Sequence, residues 1–313
     1  MNIYVVCPAH VATGGTEALH AFVALINKIK NINARIWYWN INGNNPRPEE
    51  FQTYHCEYVT HNPDDMDAII VPEIWANEAL KYNCVRAIYW LGVDAYAGWT
   101  LPEERGSFLK DQNIIHIAQS DYAWDFLSKL RVKHLIKCTD IVNIDYYADF
   151  PEEERNNTVL YNPAKATPFL RLLMDECSDI DFRPIANMTR KQVIDTMRHS
   201  KLYIDFGEFP GRERIPREAV LCGCCLITGK IGSAGYEGDF MHAYKYDSKS
   251  GHIWAIRHAI HYVLDHYEEC RKDFDAFRDL LKLDAEMLGK EAKEVAREIQ
   301  HHHTGLQRRG KNT

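Results

Sequence analysis

No stretch of this 313-residue chain approaches the ~20 apolar residues that a membrane-spanning helix needs. The N-terminus has no basic region, and its apolar run Ile3–Cys7 is too short for a secretory signal, so a cytoplasmic location is expected. A positive excess is also missing. With 37 Lys and Arg against 44 Asp and Glu, the net charge is -7, which argues against nucleic-acid binding through overall charge. The short basic run Gln307–Lys311 leaves peripheral membrane contact open. There is no complete G-x-G-x-x-G, which disfavours a nicotinamide or flavin site. There is no P-loop for an ATPase and no G-x-S-x-G for a serine hydrolase. Internal repeats and low-complexity segments are absent as well. Nine cysteines, an odd number scattered through a long chain, read as reduced thiols rather than a disulfide framework. Cys222-Gly-Cys-Cys225 has no second Cys/His pair at zinc spacing nearby, so small buried thiols are expected there and no metal site. His301–His303 is expected to be exposed beyond the last helix.

What is present is strand–helix alternation, twice over. The hydrophobic fraction of 46% can supply two cores, and the length favours two domains. Strands are expected at Ile3–Cys7, Ala34–Trp39, Asp67–Val71, Val85–Leu91, Ile114–Ala118 and His134–Lys137. A helix follows Gly14-Gly15-Thr16, with Leu19, Phe22, Val23, Ile26 and Ile29 on one face. Further helices are expected at Ile74–Lys81 and Ser120–Leu130. The acidic segment Asp145–Asn157, with Pro151, reads as a linker. Alternation restarts with strands at Thr158–Tyr161, Phe182–Ile185, Leu202–Phe206 and Cys224–Thr228. Helices lie between them at Pro168–Cys177, Thr189–His199 and Pro216–Cys222. Thr189 is a natural N-cap and Gly223 a natural stop. From His252 the chain is mostly helical, ending in a helix over about Leu283–Gln300 with Leu288, Ala292, Val295 and Ile299 on one stripe. The expected fold is therefore α/β: residues 1–150 form one Rossmann-like domain and 157–282 a second, followed by a helical segment and tail at 283–313. Such sheets take ligands outside the carboxyl ends of their strands.

The loops at those ends have distinctive chemistry. Gly14-Gly15-Thr16-Glu17 lets a ligand approach the backbone at a helix N-terminus, or it is an ordinary strand–helix turn. In Leu160-Tyr-Asn162-Pro-Ala-Lys165, proline stiffens a turn and Lys165 can reach a phosphate, or is a surface lysine. The loop from Asp205 through Gly207, Glu208, Gly211, Arg212, Glu213 and Arg214 feeds a helix N-terminus. Guanidinium groups can clamp a diphosphate and Glu218 can accept ribose hydroxyls; the competing reading is a surface ion-pair network. Pro216 is expected at the first helical position and Glu218 in the first turn. Asp94 ends a hydrophobic strand, as a base or acceptor anchor or as a turn cap, with Tyr96, Gly98 and Trp99 after it. Gly229-Lys230-Ile-Gly-Ser233-Ala-Gly235 can wrap phosphates, or simply connect. Asp65/Asp67 and Asp179/Asp181 have the spacing of metal–nucleotide carboxylate pairs, which acidic loops also produce by chance.

The segment Arg214-Ile-Pro-Arg-Glu218-Ala-Val-Leu-Cys-Gly223-Cys-Cys-Leu-Ile resembles the donor-binding motif of GT-B glycosyltransferases, particularly the family-4-type enzymes and their bacterial polysaccharide-synthesis relatives. Glu218 matches the group's ribose-holding glutamate, Gly14-Gly15 its N-domain glycine loop, and Asn162 with Lys165 its phosphate-binding turn. The resemblance implies two facing Rossmann-like domains with a C-terminal helical segment, the first on the acceptor side and the second holding the donor. It implies transfer of a sugar from a nucleotide-diphosphate sugar to a hydroxyl acceptor such as a glycan, with no further cofactor and no metal, by a hexosyltransferase expected to retain configuration. Asp94 and Glu213 are then the expected catalytic groups. Gly14, Gly15, Thr16, Asn162, Lys165, Arg212, Arg214, Glu218, Lys230 and Ser233 are the expected donor-binding groups. One departure stands out: Pro210 occupies the position, eight before Glu218, where the group often has a second glutamate, with Glu208 and Glu213 flanking it. Two alternatives follow: an epimerase or phosphorylase on the same scaffold, or a nucleotide-sugar-binding subunit without chemistry.

Overall fold

A computed structural model describes residues 1–94, 108–144, 147, 154–248 and 252–310, without the side chains of 309 and 310. The chain forms two compact units. Met1–Asp140 together with Met287–Thr313 make the first, and Ile141–Glu286 the second.

The first unit is built on β1 (Asn2–Pro8), β2 (Asn33–Trp39), β3 (Tyr58–Val59), β4 (Ala68–Pro72), β5 (Val85–Trp90), β6 (Ile114–Ala118) and β7 (His134–Lys137). Every pairing is parallel, in the order β3-β2-β1-β4-β5-β6-β7. β4 and β6 are buried at every position, as apolar runs in a parallel sheet covered on both faces must be. Helix α1 (Gly14–Ile26) follows β1 and buries Leu19, Phe22, Val23 and Ile26 of the predicted stripe, but ends before the fifth member, Ile29, which is half-buried. Helix α2 (Asp121–Lys129) follows β6 and is capped by the Ser120 hydroxyl, which accepts from the Ala123 N–H.

The second unit repeats the plan with β8 (Asn156–Tyr161), helix α3 (Pro168–Glu176), β9 (Asp181–Pro184), helix α4 (Arg190–Arg198), β10 (Ser200–Asp205), helix α5 (Arg214–Leu221) and β11 (Cys225–Thr228). Its sheet is parallel, ordered β11-β10-β8-β9. Thr189 caps α4 through a full capping box with Gln192. Gly223 stops α5 at φ +91. The Gly223 N–H bonds Val220 O and the Cys224 N–H bonds Ala219 O, the paired bonds of a Schellman ending. Helix α6 (Ile253–Asp265) covers the sheet with Ile256, Ile260 and Val263.

Three expectations change. The segment Glu73–Lys81 is wound in 3-10 turns, broken at Trp75, rather than as a regular helix. Helix α5 begins at Arg214, so Pro216 is its third residue and Glu218 lies in its second turn. The last helix, α7 (Asp275–Gly310), starts earlier and runs longer than the sequence suggests. Phe277 and Leu281 pack into the second unit's core. From Met287 on, the helix belongs to the first unit and buries the predicted Leu288, Ala292, Val295 and Ile299. All nine cysteines are free and eight are buried. The Cys222–Cys225 cluster is core, and burial pushes the Cys224 thiol up to about 12. Tyr96, Gly98, Trp99 and most of the expected linker lie outside the described residues.

Candidate functional site

In each sheet the strand order reverses at one place, between β1 and β4 in the first unit and between β8 and β10 in the second. Ligands of open α/β sheets sit at the carboxyl ends of such strand pairs. The charged loops of this chain lie there.

In the second unit, β8 runs into the Asn162–Lys165 turn. The Asn162 side-chain oxygen accepts from the Ala164 N–H and so closes the turn it was expected to equip for binding. Lys165 then reaches across to the loop after β10. Its Nζ lies 2.6 Å from Glu213 Oε2 and donates to Glu208 O at 2.9 Å. Close approach explains Gly207: a Cβ there would stand 3.0 Å from Lys165 Cβ and 3.1 Å from Lys165 O. The Gly207 N–H donates to Asp205 Oδ1 at 2.9 Å. Burial pushes the Asp205 carboxyl up to about 6, against the pull of the Lys165 charge.

The two arginines of the loop differ. Arg212 is buried, with Nη2 at 2.7 Å from Asp284 and Nε at 3.5 Å from Asp239. The expectation that it clamps a diphosphate meets a guanidinium enclosed by two carboxylates of its own unit. Arg214 opens α5 and is half-buried. Ser233 also departs from expectation. It is fully buried, its hydroxyl donates to Gly211 O and its N–H to Phe209 O, so it braces the charged loop. Gly232 turns this contact at φ +61, where any Cβ would collide with Phe209 O. Lys230 is exposed at the start of the same segment. Glu218 is half-buried beside the Tyr147 hydroxyl; burial first, and then the Glu218 carboxylate, push that phenol up. Lys165, Glu213, Arg214, Glu218 and Lys230 therefore remain at least partly open to solvent, two acids and three bases on the strand-end loops and on helix α5.

In the first unit, Thr13 caps α1 in a capping box with Thr16. The Thr16 hydroxyl is buried and donates to Val11 O at 2.9 Å, so this side chain holds the turn. Gly14 and Gly15 are half-buried in the first helical turn. Asp94 lies beyond the end of β5, half-buried, and accepts a 2.7 Å bond from the Tyr122 hydroxyl.

Sequence reasoning missed several groups. Glu73, buried at the end of β4, accepts from the Leu91 N–H at 2.8 Å, and Gln119 donates to Leu91 O from the end of β6. Burial pushes the Glu73 carboxyl up to about 7. An acid directly after the apolar run of β4 was the available signal. Arg217 is fully buried and donates to the carbonyls of Arg212 and Glu213, shaping the charged loop from inside. Its signal was hidden, because its partners are main-chain atoms. The aspartate pairs are structural where the chain describes them: Asp65 and Asp67 tie down Asn2 and Tyr4, and Asp179 pairs with Arg257.

The sequence matches no protein-family profile and no curated protein. Solved structures match along nearly the whole chain. A glycosyltransferase from Rickettsia africae is 14% identical, covers 96% of this chain and 98% of its own, and has a TM-score of 0.69. Anabaena HepE in complex with UDP and glucose is 12% identical, covers 95% and 99%, and has a TM-score of 0.67. A UDP-N-acetylglucosamine 2-epimerase is 11% identical, covers 97% of each chain and has a TM-score of 0.58. At these identities the likeness is one of fold, and the fold of this chain is GT-B: two parallel α/β units and a long C-terminal helix.

Proposed function

We propose that this protein is a cytoplasmic glycosyltransferase that moves a sugar from a nucleotide-diphosphate sugar to a hydroxyl acceptor in glycan synthesis. The observation that carries the reading is the Lys165–Glu213 pair spanning the β8 and β10 loops at the second unit's switch point, with Arg214 and Glu218 on the helix that follows. In this reading Glu218 accepts the ribose hydroxyls. Lys165, Arg214 and Lys230, with the N–H groups opening α5, take the diphosphate. The acceptor oxygen forms the new bond to the anomeric carbon as the bond to the diphosphate breaks, and the departing electrons go to the phosphate. Placed cations stabilise charge that develops there, so the reading needs no metal. We assign Asp94 to the acceptor hydroxyl and Glu213 to the donor sugar, where Pro210 replaces the group's usual acid. If configuration is retained, as proposed, the leaving phosphate can itself take the acceptor proton.

In this reading a donor phosphate must displace an ion pair at Lys165. Its ammonium is held by Glu213, so a phosphate has to compete with that carboxylate. Thermal-shift titration with nucleosides, nucleoside diphosphates and their sugars is the first test, because a ligand of the native state raises its apparent stability. Lys165→Ala should weaken diphosphate binding by roughly 1.5–3 kcal/mol while leaving nucleoside binding nearly unchanged. Equal losses for both ligands would remove the phosphate role. Product analysis with labelled donor then separates the chemistries. Transfer requires an acceptor and disappears in Glu218→Ala, whereas an epimerase converts the donor sugar with no acceptor present.

A further inference from the structure

The stretch expected to lie exposed beyond the last helix, His301–His303, is inside α7, and this helix brings together side chains far apart in sequence. His134 comes from β7; Glu298 and His302 come from α7, at the i, i+4 spacing that puts both on one helix face. All belong to the first unit. Glu298 Oε1 lies 3.1 Å from His134 Nδ1 and 3.2 Å from His302 Nε2, and the two nitrogens are 3.4 Å apart. The imidazole rings stand edge-to-face, at 86°. The three atoms thus form a nearly equilateral triangle.

That triangle has the dimensions of one face of a coordination tetrahedron. Ligand atoms about 2.0–2.1 Å from a four-coordinate zinc stand about 3.3 Å from one another. The donor set is two imidazole nitrogens and one carboxylate oxygen, which suits zinc and its transition-metal neighbours; calcium and magnesium prefer all-oxygen shells. As a purely hydrogen-bonded trio the arrangement is poor, because both nitrogens aim at one carboxylate oxygen while also crowding each other. A cation seated just above the face, at the centre of the tetrahedron, satisfies all three lone pairs together. The side chains are only partly buried, with exposures of 22% for His134, 31% for Glu298 and 14% for His302. They open onto a cavity of about 710 Å³ that Asn83, Cys84, Lys133 and His301 also line.

We propose that His134, Glu298 and His302 form a zinc site that pins the C-terminal helix to the edge strand of the first unit, with its fourth position open to water or a small ligand from the cavity. The site is independent of the sugar-transfer reading, since none of its ligands lies on the loops that carry that reading.

The test uses full-length protein with any histidine tag removed, stripped with EDTA and desalted. Zinc is titrated in competition with a chromophoric chelator, and Co2+ is titrated while the visible bands of four-coordinate cobalt are followed. One equivalent of zinc should bind, and Co2+ should develop those bands. His134→Ala and His302→Ala should each weaken binding by roughly 100-fold or more, beyond the roughly 10–100-fold typical of losing an outer-shell partner. His303→Ala should leave it unchanged. If either alanine variant loses its native circular dichroism, Glu298→Gln and His302→Gln decide instead. Wild-type affinity no greater than that of these variants, or an absence of cobalt bands, overturns the proposal.

Discussion

Gly15 occupies the first turn of α1 without needing to be glycine. Its φ is not positive, and a Cβ there would make only ordinary contact with Leu91, at 3.6 Å. Alanine is the better helix former by about 1 kcal/mol. Gly15→Ala should therefore keep or raise the melting temperature, and if a ligand approaches the backbone at this turn it should lower turnover sharply. Loss of stability, or unchanged kinetics, would assign the glycine an ordinary turn role. Glu73 makes a different prediction. Its folded pKa, about 7, lies above the ordinary 4.5, so the native state holds the proton more tightly than the unfolded chain. The resulting stability is fully present below about 4.5 and is lost as pH rises through about 7. Glu73→Gln should flatten that decline by up to about 3 kcal/mol, read from denaturant titrations at pH 5 and pH 8. Parallel profiles for variant and wild type would refute it. Single residues were also where the sequence was hardest to read. Arg212 and Arg214 sit two positions apart in the same charged loop and look equivalent. Only the fold shows that Asp239 and Asp284, distant in the chain, enclose one of them. Thr16 and Ser233 looked like ligand groups because a hydroxyl in a glycine loop suits a phosphate, and it suits a nearby carbonyl equally well.

The elements themselves were far more legible. Fully buried parallel strands announce themselves as apolar runs, and their helices as stripes, so the order of elements in both units follows from pattern alone. What escaped was short or irregular. Two-residue β3 has no period to detect, and the Glu73–Lys81 turns carry a helical composition broken by one non-helical residue, Trp75. Helix α5 shows how an element can be set by a group its pattern hides. Arg217 looks like one more surface charge of the charged segment, yet it is fully buried and holds the Glu213 carbonyl at 3.0 Å as well as that of Arg212. The loop conformation that offers Glu213 to Lys165 thus depends on a cation beneath it. Arg217→Met keeps most of the apolar stem and removes the donors. It should lower stability by roughly 1–3 kcal/mol for the carbonyls left unpaired. Nucleoside-diphosphate affinity should fall with it, because the loop loses its brace. Both quantities are accessible by urea unfolding and calorimetric titration, and wild-type values in both would show that the loop holds itself.

At the scale of the whole molecule, the C-terminal helix is the component whose role was least legible in the pattern of residues. The apolar stripe of α7 showed that the helix must be buried, but nothing in the pattern showed where, because a stripe does not name its partner. The structure returns the chain, after the second unit, to the first. Leu288, Ala292, Val295, Ala296 and Ile299 are all buried there, and the Glu291 carboxylate accepts from the Thr139 N–H at 2.7 Å and from its hydroxyl at 3.1 Å. Ending the chain at residue 286 would uncover this region. Leu288, Val295 and Ile299 alone each contribute about 1.5–3 kcal/mol through burial, so their sum is comparable to the roughly 5–15 kcal/mol stability of an entire domain. The truncated protein should therefore show an early unfolding transition, with proteolytic cuts concentrated in residues 1–140, while the second unit's core, which keeps Phe277 and Leu281, persists. A chain ending at residue 304 retains every one of these buried side chains and should unfold like the 313-residue chain. If the two truncations behave alike, the stripe is not what stabilises the first unit, and α7 is an appendage to it rather than part of its core.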